Sequence, residues 1–232
     1  MKKPVFLRAF ALAGVVFFFA LLPLKADGFS DRFTWSFQGS VLMFPEDNGN
    51  RGGPMPVLPA PGAALSYSIW GPLSAELALD LYFTNYKYDF EWDRALPAEI
   101  ENRSAFVFGF LTGLHALARF FPMDNLILRA YGGPDMDLRI ITLAADLHPD
   151  DFSGLPETDA QIQTDAVREY FWEQGRWFLP VIGVGIDYGV NEKFLIGLDF
   201  RTWFPLYRTW SGEDLPPMEG WRFGLGLRIT LR

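Results

Sequence analysis

Only two side chains in this sequence are histidines, His115 and His148, and there is no cysteine. Acyl-transfer chemistry needs a nucleophile within reach of a general base. His148 stands in a loop with no G-x-S-x-G motif around it, and His115 lies a few residues before a turn at Pro122. The two are too far apart in context for a metal site, and without cysteine neither a thiolate centre nor a disulfide framework is available. The remaining reactive groups form two sets of charges and one of rings. Glu76, Asp80, Asp187 and Asp199 face Arg129, Arg201, Arg222 and Arg228 in number, four acids to four bases. Tyr82, Tyr86, Tyr88, Phe90 and Trp92 follow one another at every second or fourth position.

Each of these charges sits at a fixed parity within a strand-like pattern. From Gly175 to Tyr207 the chain reads as two strands joined at Asn191-Glu192-Lys193. Ile182, Val184, Ile186, Tyr188 and Val190 alternate with Val181, Gly183, Gly185, Asp187 and Gly189, the period of two that a pleated strand imposes. The second arm sets Phe194, Ile196, Leu198, Phe200 and Phe204 against Gly197, Asp199 and Arg201. One face is bulky and apolar throughout, while the other mixes glycine with charge, as in a membrane hairpin with lipid outside and a polar lumen inside. In this the sequence resembles the small eight-stranded outer-membrane barrels, the OmpW-like and OmpA-barrel-like families.

The same alternation recurs along the chain. Phe33, Trp35, Phe37, Val41 and Met43 oppose Thr34, Ser36, Gln38 and Ser40 in a first strand. Pro45 to Pro61, rich in glycine and proline, reads as a long loop because proline lacks a ladder donor. A second strand is expected from Gly62 to Trp70, a turn at Gly71-Pro72, and a third strand with Leu73 to Phe83 opposite Ser74, Glu76, Ala78, Asp80 and Tyr82. A fourth begins near Ser104, and a fifth pairs Leu126, Leu128 and Ala130 with Ile127, Arg129 and Tyr131. Leu138 to Leu147 fits either a prolongation of the fifth strand past a glycine bulge or a short helix. Thr158 and Gln161 form a capping box for a short helix presenting Ile162, Ala166, Val167, Tyr170 and Phe171, which Gly175 would stop. The last strand alternates Trp221, Phe223, Leu225, Leu227, Ile229 and Leu231 with Arg222, Gly224, Gly226 and Arg228.

These elements predict an all-β fold: an eight-stranded antiparallel transmembrane β-barrel with long extracellular loops and short periplasmic turns. A secreted lipocalin-like barrel would show the same period with its faces exchanged. An eight-stranded interior is only just wide enough for side chains, so it suits glycine, serine, threonine and a few charges better than about five large apolar groups per strand. Trp35, Trp70, Trp177, Tyr188, Trp203, Tyr207, Trp210 and Trp221 gather near strand ends, as interfacial girdles do. Barrels of this kind commonly end on an aromatic residue, and this sequence has Leu231-Arg232 there.

Residues 1–26 read as a signal peptide, with Lys2, Lys3 and Arg8 ahead of an apolar run from Ala9 to Leu22 and Ala26 at the cleavage point, leaving 27–232 as the barrel. Cleavage takes four positive charges from 20 and none of the 28 negative ones, so 16 against 28 gives a formal net of −12. Such a balance repels nucleic acid. The expected setting is the outer membrane of a diderm bacterium, with its lipid and the barrel-assembly machinery as partners.

In a narrow lumen the eight charges are expected to pair across the barrel as a structural plug, with an ion pathway as the rival function. The ring ladder would give the barrel mouth an apolar vestibule over a polar floor, or would shift at a bulge and join the girdle. The acidic stretch from Asp146 to Glu173 would gather divalent cations or stand solvated, and its spacing matches no calcium loop. No metal or cofactor is expected, and neither is the acyl chemistry of barrel-type lipid A enzymes. The resemblance implies a conduit for small hydrophobic or amphipathic solutes. The alternative is a surface-interaction or adhesion protein anchored by its barrel.

Overall fold

The computed structural model describes residues 32–45, 57–98, 105–143, 160–211 and 220–231. Its strands are β1 (Phe33–Met43), β2 (Val57–Trp70), β3 (Leu73–Asp89), β4 (Arg94–Pro97), β5 (Ala105–Met123), β6 (Leu126–Gly133), β7 (Asp135–Leu143), β8 (Val181–Asn191), β9 (Phe194–Trp203) and β10 (Arg222–Leu231). Two helices, α1 (Ala160–Trp172) and α2 (Arg208–Ser211), accompany them.

Antiparallel pairing runs from β3 through β2, β1, β10, β9, β8 and β6 to β5, and β5 pairs back onto β3, so the sheet closes on itself. β7 continues the line of β6 along β5 beyond Pro134, and together they make one of eight staves. β4 is a short addition that folds back on the far end of β3. The stretch from Leu138, ambiguous in sequence, thus prolongs the preceding strand, and inward parity survives the break because Asp135, Asp137, Arg139 and Ile141 are buried as Arg129 and Tyr131 are. Over 138–143 the chain is strand and not helix. Thr158, expected to cap the helix, lies outside the described residues.

Three connections are tight turns at one end: Gly71-Pro72, Asp124-Asn125 and Glu192-Lys193. Gly71 takes φ +50°, a left-handed conformation that suits glycine. Asn191 joins β8 instead of the turn, and its Oδ1 accepts the Lys193 N–H at 2.9 Å.

Two expectations are corrected. β2 starts at Val57, not Gly62, and carries Pro59 and Pro61 inside it. Both pair with β1, opposite Val41 and Gly39, whereas pairing with β3 begins only at Gly62. Prolines two apart direct their missing donors to the same edge, and one edge of this stretch has no ladder to satisfy. Trp203 and Tyr207 leave the expected girdle for the interior, where both are buried. Trp203 shares the parity of Asp199 and Arg201, so the pleat that turns those charges inward turns the indole inward too.

Candidate functional site: a charged lumen under an aromatic cap

Glycine on the inner face is what lets large polar groups cross the barrel. A Cβ at Gly109 would run into the Tyr82 ring, one at Gly183 into Tyr131, and one at Gly197 into Asp187. In each case a neighbour's side chain lies flat over a wall position with no side chain of its own.

Nearest the tight turns, the Arg228 guanidinium holds Glu76, reaching Oε1 at 3.2 Å and Oε2 as a second contact, and also donates to Ser36 Oγ at 2.9 Å. Ser66 donates to Glu76 Oε2 at 2.7 Å. Arg129 grips Asp187 with two donors, at 2.6 and 3.1 Å, and reaches Asp199 at 3.0 Å. The Tyr131 hydroxyl donates to the other oxygen of Asp199 at 2.6 Å. Arg201 forks onto Asp80 at 2.5 and 3.2 Å, while Gln38 donates to Asp80 at 2.7 Å. All eight charges picked out by sequence are buried in the lumen. The structure brings seven of them together as Glu76–Arg228, Asp80–Arg201 and Asp187–Arg129–Asp199.

The eighth, Arg222, pairs with a residue absent from that set, Asp137. Asp137 also accepts from the Tyr82 hydroxyl at 2.8 Å and from Arg139 Nε at 2.7 Å. Asp135, missed likewise, accepts the Trp203 indole N–H at 2.6 Å and lies 2.7 Å from His115 Nε2. Counting in twos from Arg129 across Gly133-Pro134 reaches Asp135, Asp137 and Arg139, so the signal was there in the spacing. His115 is therefore part of the lumen network and is stacked on Tyr131 at 5.4 Å between ring centroids.

Above this polar column lies an apolar layer of Leu42, Phe44, Leu111, Leu179, Val181 and Trp203 around Tyr82. The five rings of the ladder are distributed over it in three environments. Tyr82 is fully buried with its hydroxyl in the charge network, and Tyr86 is buried against Phe171 of α1, edge-on at 4.7 Å. Pairing of β3 with β5 is continuous from Leu73 to Tyr86, with no bulge. Tyr88 is half-buried, and its backbone both donates to and accepts from the Gln163 amide, at 2.7 and 3.1 Å. Phe90 and Trp92 lie in the turn before β4, each 37% exposed. Beyond the membrane-spanning part of β3, partial burial and the Asp93 carboxylate that accepts its hydroxyl push the Tyr88 phenol above its ordinary pKa.

α1 is the lid of this layer. Its buried face consists of Gln163, Thr164, Val167 and Phe171, whereas Ile162, expected there, is exposed. The Gln163 amide docks on the Tyr88 backbone and sets the rotation of the helix, which turns Ile162 away. Arg139 places its guanidinium 3.6 Å from the centroid of the Phe171 ring, tying the lid to the charges below. Gly175, at φ +80°, ends the 3₁₀ turn that follows α1. Among the acidic residues expected to gather cations, Asp165 is paired with Arg168 at 2.5 Å, and the described residues hold no cluster fit for a metal ion.

The outer surface is the inverse of the inner one. Phe37, Leu77, Phe83, Leu114, Ile182, Leu198, Phe200 and Leu227 point outward and stay 43–58% exposed, while the inward guanidiniums and carboxylates are almost wholly covered. Water would favour the opposite arrangement; hydrocarbon favours this one, and a closed sheet leaves no backbone edge for lipid to meet.

The chain is a transmembrane β-barrel of the outer-membrane type.

No family model matches the sequence, and no curated protein matches it. Among solved structures, the barrel is similar to neisserial surface protein A, with a TM-score of 0.49, 12% identity and coverage of 86% of this chain and 96% of that one. It is similar to OprG of Pseudomonas aeruginosa at a TM-score of 0.48 and 11% identity, covering 86% and 96%. Ail of Yersinia pestis, in complex with a heparin analogue, gives 0.41 and 7%, covering 86% and 94%.

Proposed function

We propose that this outer-membrane barrel is a non-enzymatic anchor, closed along its axis, whose working surface is the loop end where β4, α1 and α2 gather. The observation that supports it is the paired state of the lumen: Glu76, Asp80, Asp137, Asp187 and Asp199 each face a guanidinium from another stave. Opening an axial path would unpair buried charges, which is costly in a medium of low dielectric. Outer-membrane lipid is the solvent of such a barrel, and the barrel-assembly machinery is its expected route into the membrane.

A second function, a conduit for small hydrophobic or amphipathic solutes, draws support from the apolar layer around Tyr82 and Tyr86 above a polar floor, the make-up of a small-molecule site. A solute would reach that layer by displacing Val167 and Phe171 of α1. Planar-bilayer recordings on the refolded mature chain separate the two. The anchor predicts no steady conductance, together with surface binding that disappears when residues 144–175 are removed. A stable conductance, or solute uptake that survives loop truncation, would overturn it in favour of the conduit.

A further inference from the structure

At the end opposite the aromatic cap, the barrel mouth holds a cavity of about 540 Å³ whose polar lining is unlike the rest of the chain. Arg129 and Arg228 form its floor, and Arg119 and Arg32 stand on its wall and rim. Thr34, Ser68 and Thr230 add hydroxyls between them. Among the described residues that line it, the carboxylate is Asp187, and both of its oxygens are already taken by Arg129. Arg129 and Arg228 are held by Asp187, Asp199 and Glu76, while Arg32 and Arg119 stand nearer the mouth.

Arg228 carries a second observation. Its two terminal nitrogens are occupied by Glu76 and Ser36, but its Nε is buried and has no hydrogen-bond partner among the described residues. A buried donor left unmade is costly, and an acceptor supplied from the cavity would remove that cost. Arg32 holds the Tyr67 hydroxyl at 3.5 Å, the limit of a hydrogen bond. Arg119 donates to Ser74 Oγ at 2.6 Å, and a guanidinium holding one oxygen keeps a planar face of further donors that suits a group bearing several oxygens.

We propose that this mouth is a binding site for an oxyanion-bearing group, a phosphate above all, entering from the compartment that the tight turns face. Arg32 and Arg119 capture the anion at the rim, and Arg228 on the floor sets its depth.

The test uses the refolded mature barrel in phosphate-free detergent, titrated calorimetrically with inorganic phosphate. Saturable binding is expected, and R32Q/R119Q should bind about tenfold or more weakly, as loss of charge-assisted contacts implies. K193Q, in an exposed turn at the same end but outside the basin, should bind as the parent does. If the double variant does not refold, R32Q alone, changed at an exposed position ahead of β1, gives the same comparison. Absence of saturable phosphate binding, or equal weakening by K193Q and R32Q, overturns the proposal. Repeating the titration in nanodiscs identifies the source of the group. Equal capture in phosphatidylcholine and phosphatidylglycerol discs points to a free anion, and capture lost only in phosphatidylglycerol points to a lipid headgroup seated in the same site.

Discussion

Asp80 and Arg201 are 121 residues apart in sequence and joined at 2.5 Å. Neither is tolerable alone where it sits, so Arg201→Met should lower the stability of the refolded barrel by about 3–5 kcal/mol, and the added change Asp80→Leu should recover most of that loss. Urea unfolding of the single and double variants in lipid checks it, and equal losses in both would show that the pair is not the cause. Gly109→Ala forces the Tyr82 ring off its seat on the wall and should cost about 1–3 kcal/mol, falling to near zero in a Tyr82→Ala background. The charges themselves were legible in the sequence because the pleat fixes parity, and a buried face carrying Glu76, Asp80, Asp187 and Asp199 requires their partners. Their pairing was not legible, since which guanidinium meets which carboxylate depends on how staves at opposite sides of a closed sheet are staggered. Arg222 illustrates this: its partner Asp137 lies one residue ahead of a stretch that short-range pattern left open between helix and strand.

Among the elements, α1 and β2 departed from expectation for opposite reasons. β2 contains two prolines that argue against any strand, yet one of its edges is unladdered where they fall. α1 has the apolar spacing of a helix, but its seat is chosen by a polar contact, Gln163 on the Tyr88 backbone. Helix propensity and periodicity report that such an element exists; they do not report which neighbour it will face. Because α1 docks on the barrel without belonging to its sheet, it should come loose separately. Phe171→Ala removes a ring buried against Tyr86 and Arg139, and should weaken docking of the lid by about 3–5 kcal/mol. Hydrogen exchange should then rise across 160–172 while the amides of β8 and β9 keep their protection. Parallel loss of protection in those strands would mean that the lid and the barrel are one cooperative unit.

For the whole molecule, the exterior is defined by its solvent. Leu198→Arg, at an outward position of β9, should cost about 2–4 kcal/mol if that position lies near the bilayer midplane, measured as unfolding free energy in lipid vesicles. The same guanidinium is native three residues on, at Arg201, because it turns to the other face. The closing pair of the barrel, β1 with β10, joins the first and last described strands over Trp35 to Met43. Ser36 meets Thr230 and Arg228 there, and Arg228 meets Glu76 on the far side of β2. Until that seam zips, Arg228 sits on one border of an open curl and Glu76 two strands in from the other, with nearly the whole chain as the loop between β1 and β10. Loops of such length make closure the slow event, and for this chain the slow event is also the one that settles its electric account: an insertion begun before the seam has shut would carry naked ions into oil.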